Sequence, residues 1–389
     1  MKFSLVYRLV TLTLLFGIIQ FGVSCRKDSG FKKLDVLFDY VPYDVDTSIK
    51  VIGNAKDSLI IGSKPFISTP EFMGYGFPSS ISLGQNKWLM AVNRYSTVSD
   101  FKSANIVAKL SNDGGKTWGD EYVLQQNIGA VQTASPSFVR INATEVWLIF
   151  LVKHDTKNCD VYYKVSKDNA QTWGEPKKIN TLQGYHVINN SRVVKLGDRL
   201  ILPVAYTVDI NKYYDKQGVF CYYTDDYGST WQMSKTLAST VPLMEPGIVA
   251  ISATELIMTL RSNNGKILFS RSMDKGITWS NPVLSAINSP ESPSSIYKIS
   301  RTNQLMLIWN NNGVSPNPDM KYSNRQPLTI SFSSNNGKTW SNAYNVEWLK
   351  DADYSYVECI QNSSGVYLAY NVRPHGAEMK INTKLIKLQ

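Results

Sequence analysis

Two residues in the middle of the chain have the types and the spacing to work as a pair, Glu245 and Arg261. A carboxylate at the first position could accept a proton, and a guanidinium at the second could grip an anion through paired, charge-assisted hydrogen bonds. Both belong to the run 244–279, M-E-P-G-I-V-A-I-S-A-T-E-L-I-M-T-L-R-S-N-N-G-K-I-L-F-S-R-S-M-D-K-G-I-T-W. The run reads as three short strands over 247–251, 255–261 and 266–271, rich in β-branched and large apolar residues and divided by polar turn residues. Glu245 enters the first strand and Arg261 ends the second. In an up-and-down meander the start of one strand lies beside the end of the next, so both side chains reach one end of the sheet.

The elements that would hold such a pair are written into the sequence as a repeat. The run closes on Ser272-x-Asp274-x-Gly276-x-Thr278-Trp279, and Ser111-x-Asp113-x-Gly115-x-Thr117-Trp118 is a second complete copy. The copy at 166–173 has Ala170 at the glycine position, the copy at 224–231 opens on Thr224, and the copy at 333–340 has Asn335 for Asp. Each reads as a hairpin turn whose Asp satisfies turn amides, whose Gly tolerates positive φ and whose Trp packs against the sheet. A calcium loop is excluded by the lack of further acidic ligands and of a closing Glu. Five copies at intervals of roughly 50 to 60 residues match one four-stranded propeller blade with its loops. Strands are expected at 146–152, 160–166, 199–205, 219–224 and 305–309, and no stretch keeps a helical period, so the fold class is all-β. The five repeat tryptophans are expected to be largely buried at the periphery.

Motif, spacing and repeat together resemble the sialidase (neuraminidase) superfamily, whose Asp-box hairpins build a six-bladed β-propeller and whose Asn/Met-Glu-Pro motif and following Arg belong to the active site. The resemblance implies one such propeller over residues 45–389. It makes Glu245 the general base and Arg261 the second arginine of a carboxylate-binding triad. Arg325, in N-R-Q-P-L-T-I ahead of the repeat at Ser333, matches the third arginine. Tyr356, in D-Y-S-Y-V-E and followed by Gly365, matches the nucleophile, with its neighbour Tyr354 as the alternative. Asp100, in the loop after A-V-N-R at 91–94, falls where the family has its acid/base Asp. One position departs: the family's Arg-Ile-Pro is matched by Gly76-Phe77-Pro78, so the first arginine of the triad is replaced by Gly76. Losing one charged hydrogen-bonding partner costs on the order of 2 to 5 kcal/mol. Arg94 and Arg192, the latter ending the polar segment H-V-I-N-N-S-R at 186–192, are the candidate replacements.

A sugar with a carboxylate on its anomeric carbon repels an anionic nucleophile, and a neutral Tyr relieved of its proton by a Glu avoids that repulsion. Asp100 would protonate the leaving oxygen and then activate water, while Arg261 and Arg325 bind the carboxylate. The implied activity is a retaining exo-glycosidase acting on terminal sialic acid or a related acidic sugar. The alternatives are a glycan-binding propeller without turnover and an exo-glycosidase acting on a different sugar, because of Gly76.

Composition bounds the partners. The net charge of +10 comes from Lys and Arg spread along the chain without a basic run, which ranks an acidic glycan first and nucleic acid last. Lys2 and Arg8, the apolar run 9–23 and Ser24-Cys25 read as a signal peptide over 1–25 ending at a lipidated Cys25, followed by a tether over 26–44. The run falls short of the roughly 20 residues that span a bilayer, so membrane contact would be through the lipid alone, on an exported bacterial lipoprotein in the periplasm or at the cell surface. A monomer is expected. Cys159, Cys221 and Cys359, with His154, His186 and His375, have neither redox nor metal-ligand spacing, so neither metal nor cofactor is implied.

Overall fold

The computed structural model describes residues 51–54, 59–61, 65–97, 99–213, 217–313, 324–363 and 365–386. The chain divides into units 1–32 and 33–389, and all described residues lie in the second. The expected signal peptide, Cys25 and the tether lie outside the described residues.

Strands form where apolar runs meet turn residues, and the second strand of each blade shows the strongest signal. Val146–Lys153, V-W-L-I-F-L-V-K, is buried along its whole length. Leu256–Arg261 is buried up to its last residue, and Gln304–Asn310 beyond its first. Such strands lie between two neighbouring blades and are covered on both faces, so they read as continuous apolar runs rather than alternating ones.

Six antiparallel, up-and-down blades result. The first comprises Gly74–Gly84, Lys87–Tyr95, Ala104–Ser111 and Tyr122–Gln125. The second comprises Gln132–Arg140, Val146–Lys153, Cys159–Ser166 and Lys177–Lys178; the third, Val194–Leu196, Arg199–Thr207, Gln217–Thr224 and Gln232–Met233. The short strand Tyr185–Val187 pairs with both and joins them into one sheet. The fourth comprises Met244–Ala250, Leu256–Arg261, Lys266–Ser272 and Val283–Asn288, and the fifth Ser295–Ile299, Gln304–Asn310, Leu328–Ser333 and Ala343–Glu347. The sixth takes Ala352–Asn362, Gly365–Pro374 and Lys380–Ile386 from the end of the chain, and its outermost strand, Leu59–Ile61, from near the beginning. Val51–Asn54 adds to the outer edge of the fifth in parallel.

The first strands of successive blades touch around a closed ring, from Gly74–Gly84 through to Ala352–Asn362 and back. Each of the six interfaces between neighbouring blades has its own apolar core. This is a six-bladed β-propeller, and its core is a set of radial slabs around a central axis.

The five repeat turns share one hydrogen-bond pattern. In the turn at 272–279, Ser272 Oγ donates to Asp274 Oδ1, Gly276 N donates to Ser272 Oγ, and Thr278 donates its N–H to Oδ1 and its hydroxyl to Oδ2 of Asp274. Asn335 keeps the geometry by reversing one bond, its Nδ2 donating to Thr339 Oγ1 at 2.7 Å. Ala170 adopts the left-handed conformation of the glycines it replaces, with φ 66°. Each repeat tryptophan packs on an inter-blade core. Trp340 is buried, whereas Trp118, Trp173, Trp231 and Trp279 are only half-buried, because each covers its core from the outer rim.

Candidate active site

Four of the six blades start their innermost strand with a bulge. The pairing register slips between Gly76 and Ser79, Ala134 and Ser137, Met244 and Gly247, and Ser355 and Glu358. At each slip one residue takes a left-handed backbone: Phe77 (φ 57°), Ser135 (59°), Glu245 (46°) and Tyr356 (56°). Three of them precede a proline, Pro78, Pro136 and Pro246, which suits a bulge where a ladder N–H has no partner to meet. A left-handed non-glycine residue costs about 1–2 kcal/mol, and a bulge re-aims its side chain. All four line a single cavity of about 380 Å³.

On one side of that cavity, Tyr356 donates its hydroxyl to Glu245 Oε1 at 3.0 Å, and Arg261 Nη1 donates to Oε2 at 2.5 Å. Each carboxylate oxygen therefore has a partner, and Glu291 stands 3.6 Å from the other end of Arg261. Arg325 places its guanidinium 5.7 Å from the centre of the Tyr356 ring, and the Phe77 ring packs on that tyrosine at 4.1 Å. Asn190 holds the Tyr356 carbonyl at 3.1 Å. Burial, reinforced by the charge of Glu245, pushes the Tyr356 phenol well above its ordinary value, so the proton rests on the tyrosine. Burial raises the Glu245 carboxyl too, but Arg261 and Arg325 outweigh it and hold the group below its ordinary value, so it is charged. A neutral hydroxyl thus faces an ionised acceptor, an arrangement that can deliver an aryloxide oxygen to an electrophile while the carboxylate takes the proton.

Asp100 lies in the loop between Lys87–Tyr95 and Ala104–Ser111 and lines the same cavity. Tyr95, Tyr185 and Tyr356 line that cavity with it. Arg261 and Arg325 both stand beside Glu245 in the lining, a pair of guanidiniums suited to an anion. Among the described residues no group of three or more His, Cys, Asp or Glu could hold a metal ion.

The fold brings Asp100, Glu245, Arg261, Arg325 and Tyr356 together and leaves out the two arginines proposed to replace the missing one. Arg94 pairs with Glu121 at 2.7 Å and stacks on Phe72 at 3.7 Å. Asn93 faces the cavity, and strand alternation turns its neighbour Arg94 to the other side. Arg192 is buried, donates to the Ser294 carbonyl at 2.9 Å and lies against Gly247, away from the cavity lining. At Gly76 a Cβ would meet Met379 Cε at 2.4 Å and Asn371 Nδ2 at 3.2 Å, so a side chain there would first have to displace the flexible end of Met379. Tyr354 is buried in the core between the fifth and sixth blades, and the bulge after Ser355 sends Tyr356 to the cavity instead.

Several lining residues escaped the reading of the sequence: Phe77, Tyr95, Gln132, Ser135, Lys153 and Tyr185. Phe77 and Ser135 carried a usable signal, since Phe-Pro and Ser-Pro enter the first strands of their blades as Glu-Pro enters that of the fourth. The segment 186–192 divides, with residues 186–189 on the cavity wall and Asn190 and Arg192 packed into the centre.

A sequence profile for the BNR repeat-like domain matches residues 89–368, well over half of the chain. No curated protein matches. Among solved structures, a protein of unknown function from Dyadobacter fermentans superposes with a TM-score of 0.68 at 15% identity, covering 86% of this chain and 99% of that one. The Hadza microbial sialidase Hz136 superposes with a TM-score of 0.65 at 16% identity, covering 82% of this chain and 66% of that one. The Trypanosoma rangeli sialidase in complex with sialic acid superposes with a TM-score of 0.63 at 14% identity, covering 86% of this chain. This chain spans only 59% of the length of that last protein. At these identities the likeness is one of fold.

Proposed function

The chain belongs to the BNR repeat-like family, and from that premise we propose that it is a retaining exo-glycosidase that removes terminal sialic acid or a related acidic sugar from glycans. The observation that carries the reading is the hydrogen bond from Tyr356 to Glu245 beneath a cavity that also holds Arg261 and Arg325. The carboxylate of the sugar would dock on the two arginines. The Tyr356 oxygen would attack the anomeric carbon as its proton passes to Glu245, and Asp100 would give its proton to the departing glycosidic oxygen. Asp100 would then take a proton from water, whose oxygen displaces Tyr356 from the carbon as Glu245 returns the proton to the tyrosine oxygen, and configuration is retained. Export as a lipoprotein anchored at Cys25 would bring such an enzyme, acting as a monomer, to glycans outside the cytoplasm.

A second reading, a glycan-binding propeller without turnover, is favoured by one observation: the cavity lining carries two arginines, Arg261 and Arg325, where the resemblance implies three. A panel of aryl glycosides of acidic and neutral sugars separates the two. Turnover confined to acidic glycosides, with retained anomeric configuration, supports the enzyme; binding of acidic sugars without release of the aryl alcohol supports the binder.

A further inference from the structure

The side of the cavity away from the arginines contains a buried lysine that the chemistry above leaves unused. Lys153 ends the second strand of the second blade, and Gln132 begins the first strand directly opposite it in register. Both side chains donate to one acceptor, the main-chain carbonyl of Asp100, Lys153 Nζ at 2.6 Å and Gln132 Nε2 at 2.8 Å. That carbonyl belongs to the neighbouring blade, so the two donors span the blade interface and tie down the loop carrying the carboxyl. The Lys153 ammonium lies 4.9 Å from the centre of the Phe101 ring and 5.5 Å from that of Tyr185, and the residue is only 7% exposed. Burying an ammonium costs more than burying a neutral donor, and a second amide could make the same bond.

We propose that Lys153, with Gln132, is a positioning residue for Asp100, holding its loop so that the carboxyl stands at the leaving oxygen of the substrate. This rests on the assignment of Asp100 as the acid. In the step concerned, the anomeric C–O bond breaks with its electron pair remaining on the leaving oxygen, which takes the Asp100 proton. The Tyr356 oxygen forms the new bond to carbon and its proton goes to Glu245. An aryl leaving group needs little protonation, whereas a sugar alkoxide needs it fully, so misplacing the acid affects the second far more than the first.

Lys153→Met and Gln132→Ala are compared with the parent on 4-methylumbelliferyl α-sialoside and on sialyllactose, with Asp100→Ala in the same series. General acid catalysis contributes about 10²- to 10⁴-fold. Lys153→Met is expected to lower kcat on sialyllactose about 100-fold while changing the aryl substrate less than about threefold, with KM unchanged. Lys153→Arg should recover part of the loss. Equal losses on both substrates would mark a structural role, and a raised KM with kcat unchanged would mark a substrate contact; either overturns the proposal. If Asp100→Ala shows no leaving-group dependence, the assignment of the acid fails and the proposal with it. Amide hydrogen exchange over 99–103 supplies a readout that needs no turnover. Both variants should speed exchange in that loop, and unchanged protection would overturn the clamp even in a protein that hydrolyses neither substrate.

Discussion

The function proposed for this molecule rests on a few atoms around one buried carboxylate. Glu245 accepts from Tyr356 through one oxygen and from Arg261 through the other, so its two roles, proton acceptor and anchor of an arginine, are separable by mutation. Tyr356→Phe deletes only the hydroxyl. It is expected to lower kcat on an aryl acidic glycoside by about 10³-fold or more while leaving binding of the free acidic sugar within about threefold. Isothermal titration beside steady-state kinetics checks both halves, and full activity in the variant would remove Tyr356 from the chemistry. Glu245→Gln should lower kcat by about 10²- to 10⁴-fold and also destabilise the fold by about 3 kcal/mol, because the buried Arg261 loses its nearer charged partner and keeps only Glu291 at 3.6 Å. The pH dependence has a definite sign. A carboxyl held below its ordinary value contributes stability that is fully present above the unfolded value, about 4.3, and is lost as pH falls through the folded value. Because Arg261 and Arg325 depress Glu245, the Glu245→Gln penalty should be complete at neutral pH and should shrink only well into the acid range. A penalty already diminished at pH 6 would contradict the depression.

At the scale of the strand and turn, the recurring device is a left-handed residue, used in two ways. At the inner ends of four blades it re-aims a side chain into the cavity, and at the outer ends it closes the repeat hairpins. In the hairpins the position is not interchangeable from blade to blade. Gly228, with φ 78°, lies so close to Trp147 and Tyr163 that a Cβ would fall 2.8 Å from one and 2.9 Å from the other. Ala170 takes the same conformation, with its methyl group packed on the core between the first two blades. Gly228→Ala is therefore expected to cost about 1–3 kcal/mol, from left-handed strain and overpacking together. Thermal melts should show it as a lower midpoint, with any turnover by the folded protein unchanged; an unchanged midpoint would mean that the turn yields freely. The hydrogen bonds from Thr172 and Thr230 hold Asp168 and Asp226 down to about 2. Their contribution to the hairpins is present above the ordinary Asp value and is lost only as pH falls toward 2.

At the scale of the whole propeller, closure depends on residues far from the site. The outermost strand of the last blade is Leu59–Ile61, and Val51–Asn54 lies along the outer edge of the fifth. A chain starting at residue 65 would lose both and leave Lys380–Ile386 and Ala343–Glu347 as open edges, which invite pairing with other chains. Compared with a chain starting at residue 45, it should melt several degrees lower and aggregate on heating. Equal midpoints would show that the inter-blade cores alone close the ring.

Much of this was legible in the residues themselves. The repeat period announced the blades, because each is a local unit whose turn chemistry and apolar second strand recur in sequence. Glu245 and Arg261 could be paired from spacing alone, since neighbouring strands of a meander bring sequence neighbours together. Tertiary structure decided everything that one blade does to another. Whether Arg94 and Arg192 reach the cavity depends on strand alternation and on the packing of the inner ring, and neither arginine does so. The side chains beside Gly76 are Asn371 and Met379, about 300 residues away, and Lys153 meets Asp100 across a blade boundary. Contacts of that kind leave no local period in the chain, because they arise only when the ring closes and the first strands of six blades converge on one axis.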